Sequence, residues 1–559
     1  MQSLMIVVLG IAGMTFGWFV YSKFIATKIY RLDPDFVTPA HELEDGVDFV
    51  PTNKYVLWGH HFTSVAGAAP IVGPAIAVYW GWVPAVLWVT IGTIFFAGVH
   101  DFGALWASAR HKGKSIGALS EDVIGKRTRA LFMIVIFLVL LMVNAVFGVV
   151  IARAFVGTPS AVFPAWSAIV VALVIGQLIY RKFNLTALTI AGVVALYLSV
   201  FAGSVMPMAL PENLFGLTAN ASWIIILFVY AAIASMLPVW MLLQPRDFIN
   251  GMQLFIGLFL LYGAVLLSLP DISAPAFNMQ ISEDAPSIIP LLFVTIACGA
   301  VSGFHGIVSS GTTSKQLDKE TDARFVGYVG AIGEGSLALI TIVAVSGVAL
   351  AATPEIWHQM YDKYGQAGAG TFIQGGAQLI TNGWGLPFSV SQTLLATMVV
   401  LFAGTTMDSG VRLQRYIIQE WGAIYGIPAL NKGALATLIA VSACLLLAFG
   451  AGGASGSGGL IIWPLFGSTN QILAGLTLLV ISVMLIKMGR PARYTMLPMI
   501  FVLITSSWAA VLKLIEFYRN DNWLLVVIDA IVIVTSVLVI LEAASVISKF
   551  RDKQASQSD

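Results

Sequence analysis

The sequence predicts an all-α integral membrane protein with about 15 transmembrane helices. Three observations lead to this class. Of the 559 residues, 58% are hydrophobic and only 10% are charged, whereas soluble domains carry about 25% charged residues. The mean hydropathy is +0.89. Apolar runs long enough to cross a bilayer recur along the whole chain with short polar breaks. The formal net charge of +1 leaves no basic footprint for a nucleic acid.

The apolar runs divide the chain into one continuous membrane domain. The predicted spans cover 2–21, 56–80, 83–108, 130–153, 161–180, 184–206, 221–243, 252–270, 288–310, 325–351, 388–409, 433–450, 459–486, 495–514 and 522–547. The first run lacks a basic segment before it, so we interpret it as a retained span and not as a cleaved signal. A polar tail at 549–559 is expected to be disordered.

The distribution of basic residues orients the chain. With the N-terminus outside, 25 of the 29 Lys and Arg residues fall in loops on the cytoplasmic side and 4 on the other. Cytoplasmic loops of membrane proteins are rich in Lys and Arg. The asymmetry therefore predicts an odd number of spans, with the N-terminus out and the C-terminus in.

The second span is expected to be a broken helix. Its GHHFTSVAGAAPIVGP stretch (59–74) contains Gly67, Pro70, Gly73 and Pro74. Proline removes a backbone donor, and a break inside a membrane is tolerated only where protein or a water-filled cavity satisfies the freed groups. Hydroxyls and two histidines flank the break, which is typical of a transport site at mid-membrane depth.

An inverted repeat would place a second broken helix an odd number of spans later. The seventh span fits this expectation, because Ala234, Ser235 and Pro238 interrupt it. The predicted organisation is then an N-terminal helix and loop (1–55), a first repeat (56–206), a second repeat (221–410) and accessory helices (433–547). The alternative is that Pro238 only kinks a long helix.

The ninth and thirteenth spans are also unusual. The ninth carries Ser302, Ser309, Ser310, Thr312 and Thr313, which either pack helices closely or bind a cation or carboxylate. The thirteenth carries WPLFGSTNQ outside the ten-span core, and we interpret it as a packing or dimer element. The long outer loop 352–387 is either a lid or a spacer, and we favour the spacer.

Ionisable groups inside spans are functional candidates, since they are costly there. Glu334 lies between two glycines and either carries a proton or holds a polar network together. The adjacent His60 and His61 point about 100° apart on a helix, which disfavours a metal site. One of them relays a proton or binds substrate, and His305 either faces the same cavity or only packs.

Charges at the inner ends of spans have a second interpretation, as a gate. His100 and Asp101 would pair with Arg110 or another cytoplasmic charge. Gate residues are predicted after the seventh and eleventh spans: Gln244, Arg246, Asp247, Asp408 and Arg412.

Six stretches make the sequence similar to the carbon starvation protein A family. They are TPAHELEDGVDFVPTNKYVLWGHHF (38–62), LPVWMLLQPRDF (237–248), SGFHGIVSSGTTSKQL (302–317), ARFVGYVGAIGEG (323–335), TTMDSGVRLQRY (405–416) and IWPLFGSTNQILAG (462–475). The resemblance implies a 5+5 inverted-repeat core of the leucine-transporter type and the uptake of peptides or pyruvate, the latter coupled to protons. One departure is His100, where the family pattern has Gln.

The sequence therefore predicts a secondary transporter of the cytoplasmic membrane, working by alternating access, with pyruvate or a short peptide as substrate and a proton as coupling ion. We expect no enzyme activity, cofactor or metal. Unpaired N–H groups at the helix breaks would bind an anionic substrate. The predicted substrate residues are His61, Thr63, Ser64, Gly67, Ala68, Ser235, Pro238, His305, Ser309 and Ser310. The predicted coupling residues are Glu334, His60, Asp101, Thr312 and Thr313. The alternatives are a channel or sensor derived from a transporter fold, and a membrane enzyme using the histidines.

Overall fold

The chain folds almost entirely into α-helices. A computed structural model describes residues 2–558, apart from residues 47, 239–240, 282–284, 454 and 457 and the side chains of residues 185, 244, 460 and 550–558. Within this part of the chain, 13 helices are long and apolar enough to cross a membrane. They are Gln2–Ile29, Trp82–Ala109, Lys126–Gly157, Pro159–Tyr180, Thr186–Val205, Ala219–Met236, Pro245–Ser268, Arg324–Ser346, Phe388–Ile424, Gly433–Gly450, Ile461–Lys487, Arg493–Arg519 and Trp523–Lys549.

Two predicted spans are not single helices. The second consists of Lys54–Val65 and Ala69–Trp80, which meet at an angle of 52°. The ninth consists of the helices Ile288–Thr295 and Gly303–Gly311, with residues 296–302 between them outside any helix. We call these two the broken spans and number all spans in chain order. They correspond in position to the fifteen predicted spans, whose exact number stays a prediction because the helices qualify by length and composition alone.

The break predicted in the seventh span is wrong. That helix, Ala219–Met236, includes Ala234 and Ser235 in its last turn and ends before Pro238. Leu243 then begins the next helix, Leu243–Ser268. The proline therefore lies in a connection between two helices, which is where a residue that cannot continue a helix is well tolerated. The second interruption lies in the ninth span instead.

Other helix boundaries also differ from the predicted ones. The eighth helix starts at Leu243 and not near residue 252, and the eleventh continues to Ile424 and not to 409. Polar side chains inside these extensions hid them from a hydropathy pattern. The last helix, Trp523–Ser558, includes residues 549–558 of the segment for which a disordered tail is predicted. That segment contains neither Gly nor Pro to stop a helix.

The loop 352–387 contains two helices, Pro354–Met360 and Ala369–Trp384. The Tyr361 hydroxyl donates to the carbonyl of Ala75 at 2.8 Å, and the Tyr364 hydroxyl lies 2.7 Å from Thr295 Oγ1. The loop therefore contacts the second half of the second span and the first half of the ninth span, and its role as a lid or a spacer stays a prediction.

Short elements complete the fold. On the side of the basic loops lie the helices Pro39–Glu42 and Ile116–Val123 and the 3-10 turns Thr313–Gln316 and Pro428–Asn431. A hairpin of two strands, Asn213–Leu214 and Leu217–Thr218, joins the sixth and seventh spans.

Burial separates central from peripheral spans. The most apolar window of Ile461–Lys487 is 94% buried and that of Lys126–Gly157 is 89% buried, whereas that of Thr186–Val205 is 28% buried. The thirteenth span is thus at the centre of the molecule, although the sequence assigns it to the accessory helices. Its small residues account for this, since Gly467 packs against the carbonyl of Val294 in the ninth span.

Candidate substrate and proton site

The two broken spans run in opposite directions beside each other. Gly73, in the second half of one, lies against the carbonyl of Thr295 at the end of the first half of the other. At the opposite end, His61 Nδ1 lies 2.9 Å from Thr313 Oγ1. Each half-helix of the second span thus faces the half of the ninth span at the same depth.

The break in the second span presents backbone N–H groups and a hydroxyl. The helix Ala69–Ala77 begins at Ala68 without a side-chain cap. A Cβ added at Gly67 would lie 2.6 Å from Thr406 Oγ1, on the eleventh span, and 3.0 Å from Phe147 Cε2, on the fourth. Thr406 is 2% exposed and its hydroxyl has no hydrogen-bond partner. A side chain at position 67 would clash with both neighbours, so Gly67 lets the fourth and eleventh spans pack closely against the break and brings the unpaired Thr406 hydroxyl beside the helix N-terminus.

The break in the ninth span is stabilised by other helices. Asn470 Oδ1 accepts a 2.9 Å hydrogen bond from the backbone N–H of Phe304, at the start of Gly303–Gly311. Its Nδ2 donates to Ser302 Oγ at 3.0 Å. Trp88 Nε1 lies 3.2 Å from the carbonyl of Ile296, and Gln471 Nε2 donates to the carbonyl of Phe293 at 2.7 Å. The freed groups are thus satisfied by protein, as the membrane interior requires.

Four buried ionisable side chains form a chain beside this break. Asp101 Oδ1 lies 2.7 Å from His100 Nδ1, and Asp101 Oδ2 lies 2.8 Å from His305 Nδ1. His305 Nε2 lies 3.0 Å from Glu334 Oε2, an ion-pair distance, although the N–H does not point along a hydrogen bond. The four side chains are at most 2% exposed. They come from the third, ninth and tenth spans, and His305 sits between two carboxyl groups.

This arrangement corrects one expectation and extends another. Asp101 pairs with the two histidines and not with Arg110, which forms an ion pair with Glu320. Asp101 lies about two and a half helical turns before Arg110, where it contacts the ninth span and not the charged loop. Glu334, the strongest candidate from the sequence, lies beside His305. The spacing of these two residues in the sequence does not indicate that they meet.

The structure brings only some of the predicted substrate residues to the breaks. Gly67 and Ala68 form the break of the second span and His305 follows that of the ninth, whereas His61 lies inside Lys54–Val65 and contacts Thr313. The hydroxyls of Thr63 and Ser64 donate to carbonyls of their own helix, those of Gly59 and His60, each at 2.8 Å. Ser235 Oγ does the same with Ala232 at 3.0 Å.

The remaining predicted residues of the second and ninth spans have separate surroundings. Ser309 Oγ is buried without a hydrogen-bond partner, whereas Ser310 Oγ accepts from the backbone N–H of Ile116 at 2.9 Å. Thr312 is exposed, and His60 is partly exposed and lines a separate cavity. Pro238 is exposed at the end of the seventh span. Ser235 and Pro238 are therefore wrong as residues of a second break.

The predicted gate residues form a second buried cluster. Arg246 pairs with Asp408, and Tyr230 donates its hydroxyl to the same Asp408 oxygen at 2.8 Å. Arg246 Nη2 also lies 3.4 Å from Asp247 Oδ1. Arg412 Nη2 donates to the carbonyl of Leu237 at 2.6 Å and so caps the C-terminus of the seventh helix. The side chain of Gln244 lies outside the described part of the structure. These residues were expected to follow their spans, but Asp408 and Arg412 lie inside the eleventh helix.

Sequence reasoning missed the residues that hold the ninth break. Asn470 and Gln471 belong to the WPLFGSTNQ motif, which the sequence analysis interprets as a packing or dimer element because of its polar side chains. Trp88 gave no signal, because a tryptophan in an apolar span resembles any other core residue. Among the described residues, no group of three or more His, Cys, Asp or Glu side chains is placed to hold a metal ion.

Interrupted helices that meet beside buried ionisable groups are typical of secondary transporters, and the class that these features define is a multi-pass membrane transporter. The chain belongs to the carbon starvation protein CstA family, whose family model matches residues 2–361 and 345–509. It is 34% identical to the peptide transporter CstA of Campylobacter jejuni, over 90% of this chain and 79% of the relative. It is 31% identical to the pyruvate/proton symporter BtsT of Escherichia coli, over 92% of this chain and 82% of the relative.

Solved structures with a similar chain trace are much more distant. A variant of the manganese transporter of Eremococcus coleocola is 11% identical, with a TM-score of 0.49 over 91% of this chain and 99% of the other.

Proposed function

We propose that this protein is a proton-coupled secondary transporter that imports pyruvate or a short peptide across the cytoplasmic membrane by alternating access. The names of its relatives support both substrates, and both carry a carboxylate. The excess of basic residues in one set of loops supports an outer N-terminus and an inner C-terminus. The protein acts on its substrate by moving it, without chemical conversion.

The substrate carboxylate binds at the start of Ala69–Ala77. A helix N-terminus attracts an anion through its unpaired N–H groups and its dipole. The unpaired Thr406 hydroxyl, which packs against Gly67, supplies a second polar contact at the same place. Phe147 packs against Gly67 as well and supplies an apolar contact for the methyl group of pyruvate or the first side chain of a peptide.

The observation that carries the proposal is His305 between Asp101 and Glu334. Burying two carboxyl groups and one imidazole costs less free energy when the three groups share a proton. We assign that shared proton to coupling. Glu334 takes it up when the site faces outward and releases it when the inner half of the ninth span moves away.

The rival role for Glu334 is to hold the polar network together without carrying a proton. The two roles differ in what a neutral side chain does. Glu334→Gln keeps the shape and a hydrogen-bonding oxygen but cannot release a proton. If Glu334 carries the proton, exchange of substrate across the membrane survives and accumulation driven by a pH gradient is lost.

Purified protein in liposomes tests this. Labelled pyruvate and a labelled dipeptide are compared in uptake driven by an imposed pH gradient and in exchange without a gradient. We expect Glu334→Gln to retain exchange and to lose gradient-driven uptake, while Glu355→Gln, in the exposed outer loop, retains both. Equal loss of both activities in Glu334→Gln would show a purely structural role. If the wild-type protein takes up neither substrate, the proposed function is wrong.

A further inference from the structure

A cavity of about 400 Å³ lies at the inner ends of four spans, apart from the substrate and proton site. Its walls come from the second span (Val56, His60), the fifth (Ile175, Tyr180) and the start of the eighth (Phe248), with a residue of the sixth completing it. Val56 is 54% exposed and Tyr180 is 67% exposed, so the rim of the cavity faces the surroundings of the protein.

The wall is mostly apolar, and only four of its side chains carry polar atoms: His60, Tyr180, Thr189 and Gln316. Sites of 300–1,000 Å³ with apolar walls and a few placed polar groups are typical of binding sites for hydrophobic ligands. Ile175, Phe248 and Ile249 line the interior, whereas His60 and Gln316 supply polar atoms. A small hydrated carboxylate finds no cation in this lining, so the cavity does not suit the proposed transport substrates.

Two exposed basic residues follow the rim directly. Arg181 and Lys182 form the turn after Tyr180, the last residue of the fifth helix. Among the ion pairs of the described residues, neither has a carboxylate partner. They belong to the loops that the charge asymmetry assigns to the cytoplasmic side, where the leaflet contains anionic lipids.

We propose that this cavity binds an anionic phospholipid of the inner leaflet. One acyl chain occupies the apolar interior, and the phosphate lies at Arg181 and Lys182. Basic pockets between transmembrane helices on the cytoplasmic side are suited to anionic headgroups. The combination of an apolar cavity, an exposed rim and unpaired cations at its mouth matches both ends of such a lipid.

The bound lipid would touch a part of the protein that must move. The helix Lys54–Val65, the inner half of the second span, and the start of the eighth helix both line the cavity, and the two helices pack against each other beside it through Trp58 and Phe255. His60 lines the cavity, and its neighbour His61 contacts Thr313 of the ninth span. An acyl chain in this place would contact both helices and hinder a movement of one against the other.

Lipid binding to the purified full-length protein tests the proposal. Phosphatidylglycerol and phosphatidylcholine are titrated separately, and bound lipid is counted by native mass spectrometry. We expect phosphatidylglycerol to bind preferentially, and Arg181→Gln/Lys182→Gln to weaken its binding about 30-fold, since each basic residue near the surface contributes about one fivefold step. The matched control is Lys23→Gln/Lys28→Gln, two exposed basic residues of the first span, which should leave binding unchanged.

A second variant tests the cavity itself. Val56→Trp fills it from the exposed rim, and Val170→Trp places the same ring on an exposed position of the fifth span (60% exposed) that does not line it. We expect only Val56→Trp to abolish preferential binding of phosphatidylglycerol. The proposal would be overturned if the wild-type protein bound the two lipids equally, or if binding of phosphatidylglycerol were unchanged in both variants. It would also be overturned if soluble glycerol phosphate competed for the site as well as phosphatidylglycerol does.

A water-filled vestibule is the other possible occupant, and the chain allows a direct test because both native cysteines, Cys298 and Cys444, are buried. Val56→Cys should resist a charged, membrane-impermeant thiol reagent in lipid vesicles if an acyl chain fills the cavity. Rapid labelling from the inner side would show water there and would also overturn the proposal. None of these outcomes affects the uptake assay, so the transport function is judged separately.

Discussion

Removing the carboxylate of Asp408 should destabilise the protein, because it leaves the Arg246 guanidinium buried without its main partner. The side chains are 0% and 3% exposed, and they join the eleventh and eighth spans. Tyr230 donates its hydroxyl to the same carboxylate oxygen.

The size of the destabilisation depends on the partners that Arg246 and Tyr230 keep in the Asp408→Asn variant. Breaking a buried ion pair by removing one partner costs about 3–5 kcal/mol. Asp247 Oδ1 still lies 3.4 Å from Arg246 Nη2 and offsets part of the charge. Asp408→Asn also keeps an oxygen that accepts from Tyr230. The expected loss of unfolding free energy is therefore at the lower end, about 3 kcal/mol, or roughly two orders of magnitude in the equilibrium constant.

Reversible unfolding in mixed micelles measures this loss, with Asp122→Asn as control. Asp122 pairs with Lys114 at the surface, where the two side chains are 34% and 44% exposed, so its loss should cost at most about 1 kcal/mol. The double variant Arg246→Met/Asp408→Leu replaces both charges with apolar groups and should recover most of the stability. The reasoning fails if Asp408→Asn costs no more than Asp122→Asn, or if the double variant is as unstable as the sum of its single variants.

Two further predictions concern the breaks. Asn470→Leu removes the hydrogen bonds to Phe304 N and Ser302 Oγ and should lower the unfolding free energy by about 1–3 kcal/mol. The control Thr469→Val loses only a hydrogen bond within its own helix and should lower it less. Equal effects of the two variants would contradict the capping role of Asn470. Thr406→Val should raise the substrate concentration for half-maximal uptake about tenfold, because it removes one hydrogen bond to a charged group. The unfolding free energy should stay unchanged. If the half-maximal substrate concentration also stays unchanged, the Thr406 hydroxyl does not belong to the substrate site.

The break in the second span could be predicted because its cause is local. Gly67 and Pro70 interrupt helix formation whatever surrounds them, and the structure bends the span at Ala66–Ala68. The ninth span has no proline between residues 296 and 302. Its break depends on Asn470, Trp88 and Gln471, which lie in other spans, so no local pattern could reveal it.

The same distinction explains the error at Pro238. A proline marks a place where a helix cannot continue, and it does not say whether the chain resumes in the same direction or turns back. In the seventh span it turns back, and Arg412 of the eleventh span satisfies the final carbonyls. The buried ion pair of Arg246 with Asp408 was equally hidden, because the hydropathy pattern placed Arg246 in a loop and Asp408 at the very end of a span.

The inner half of the ninth span is the single element on which proposed substrate release and proton release converge. His305 lies in its first turn and faces Glu334 and Asp101, while Thr313, just beyond its end, contacts His61 of the second span. A movement of Gly303–Gly311 that separates His305 from Glu334 also pulls Thr313 from His61. In the proposed cycle, such a movement would couple loss of the proton to opening on the side of His61. Asn470 of the thirteenth span accepts a hydrogen bond from the first turn of this helix, so we expect the movement to be larger at the end that carries Thr313.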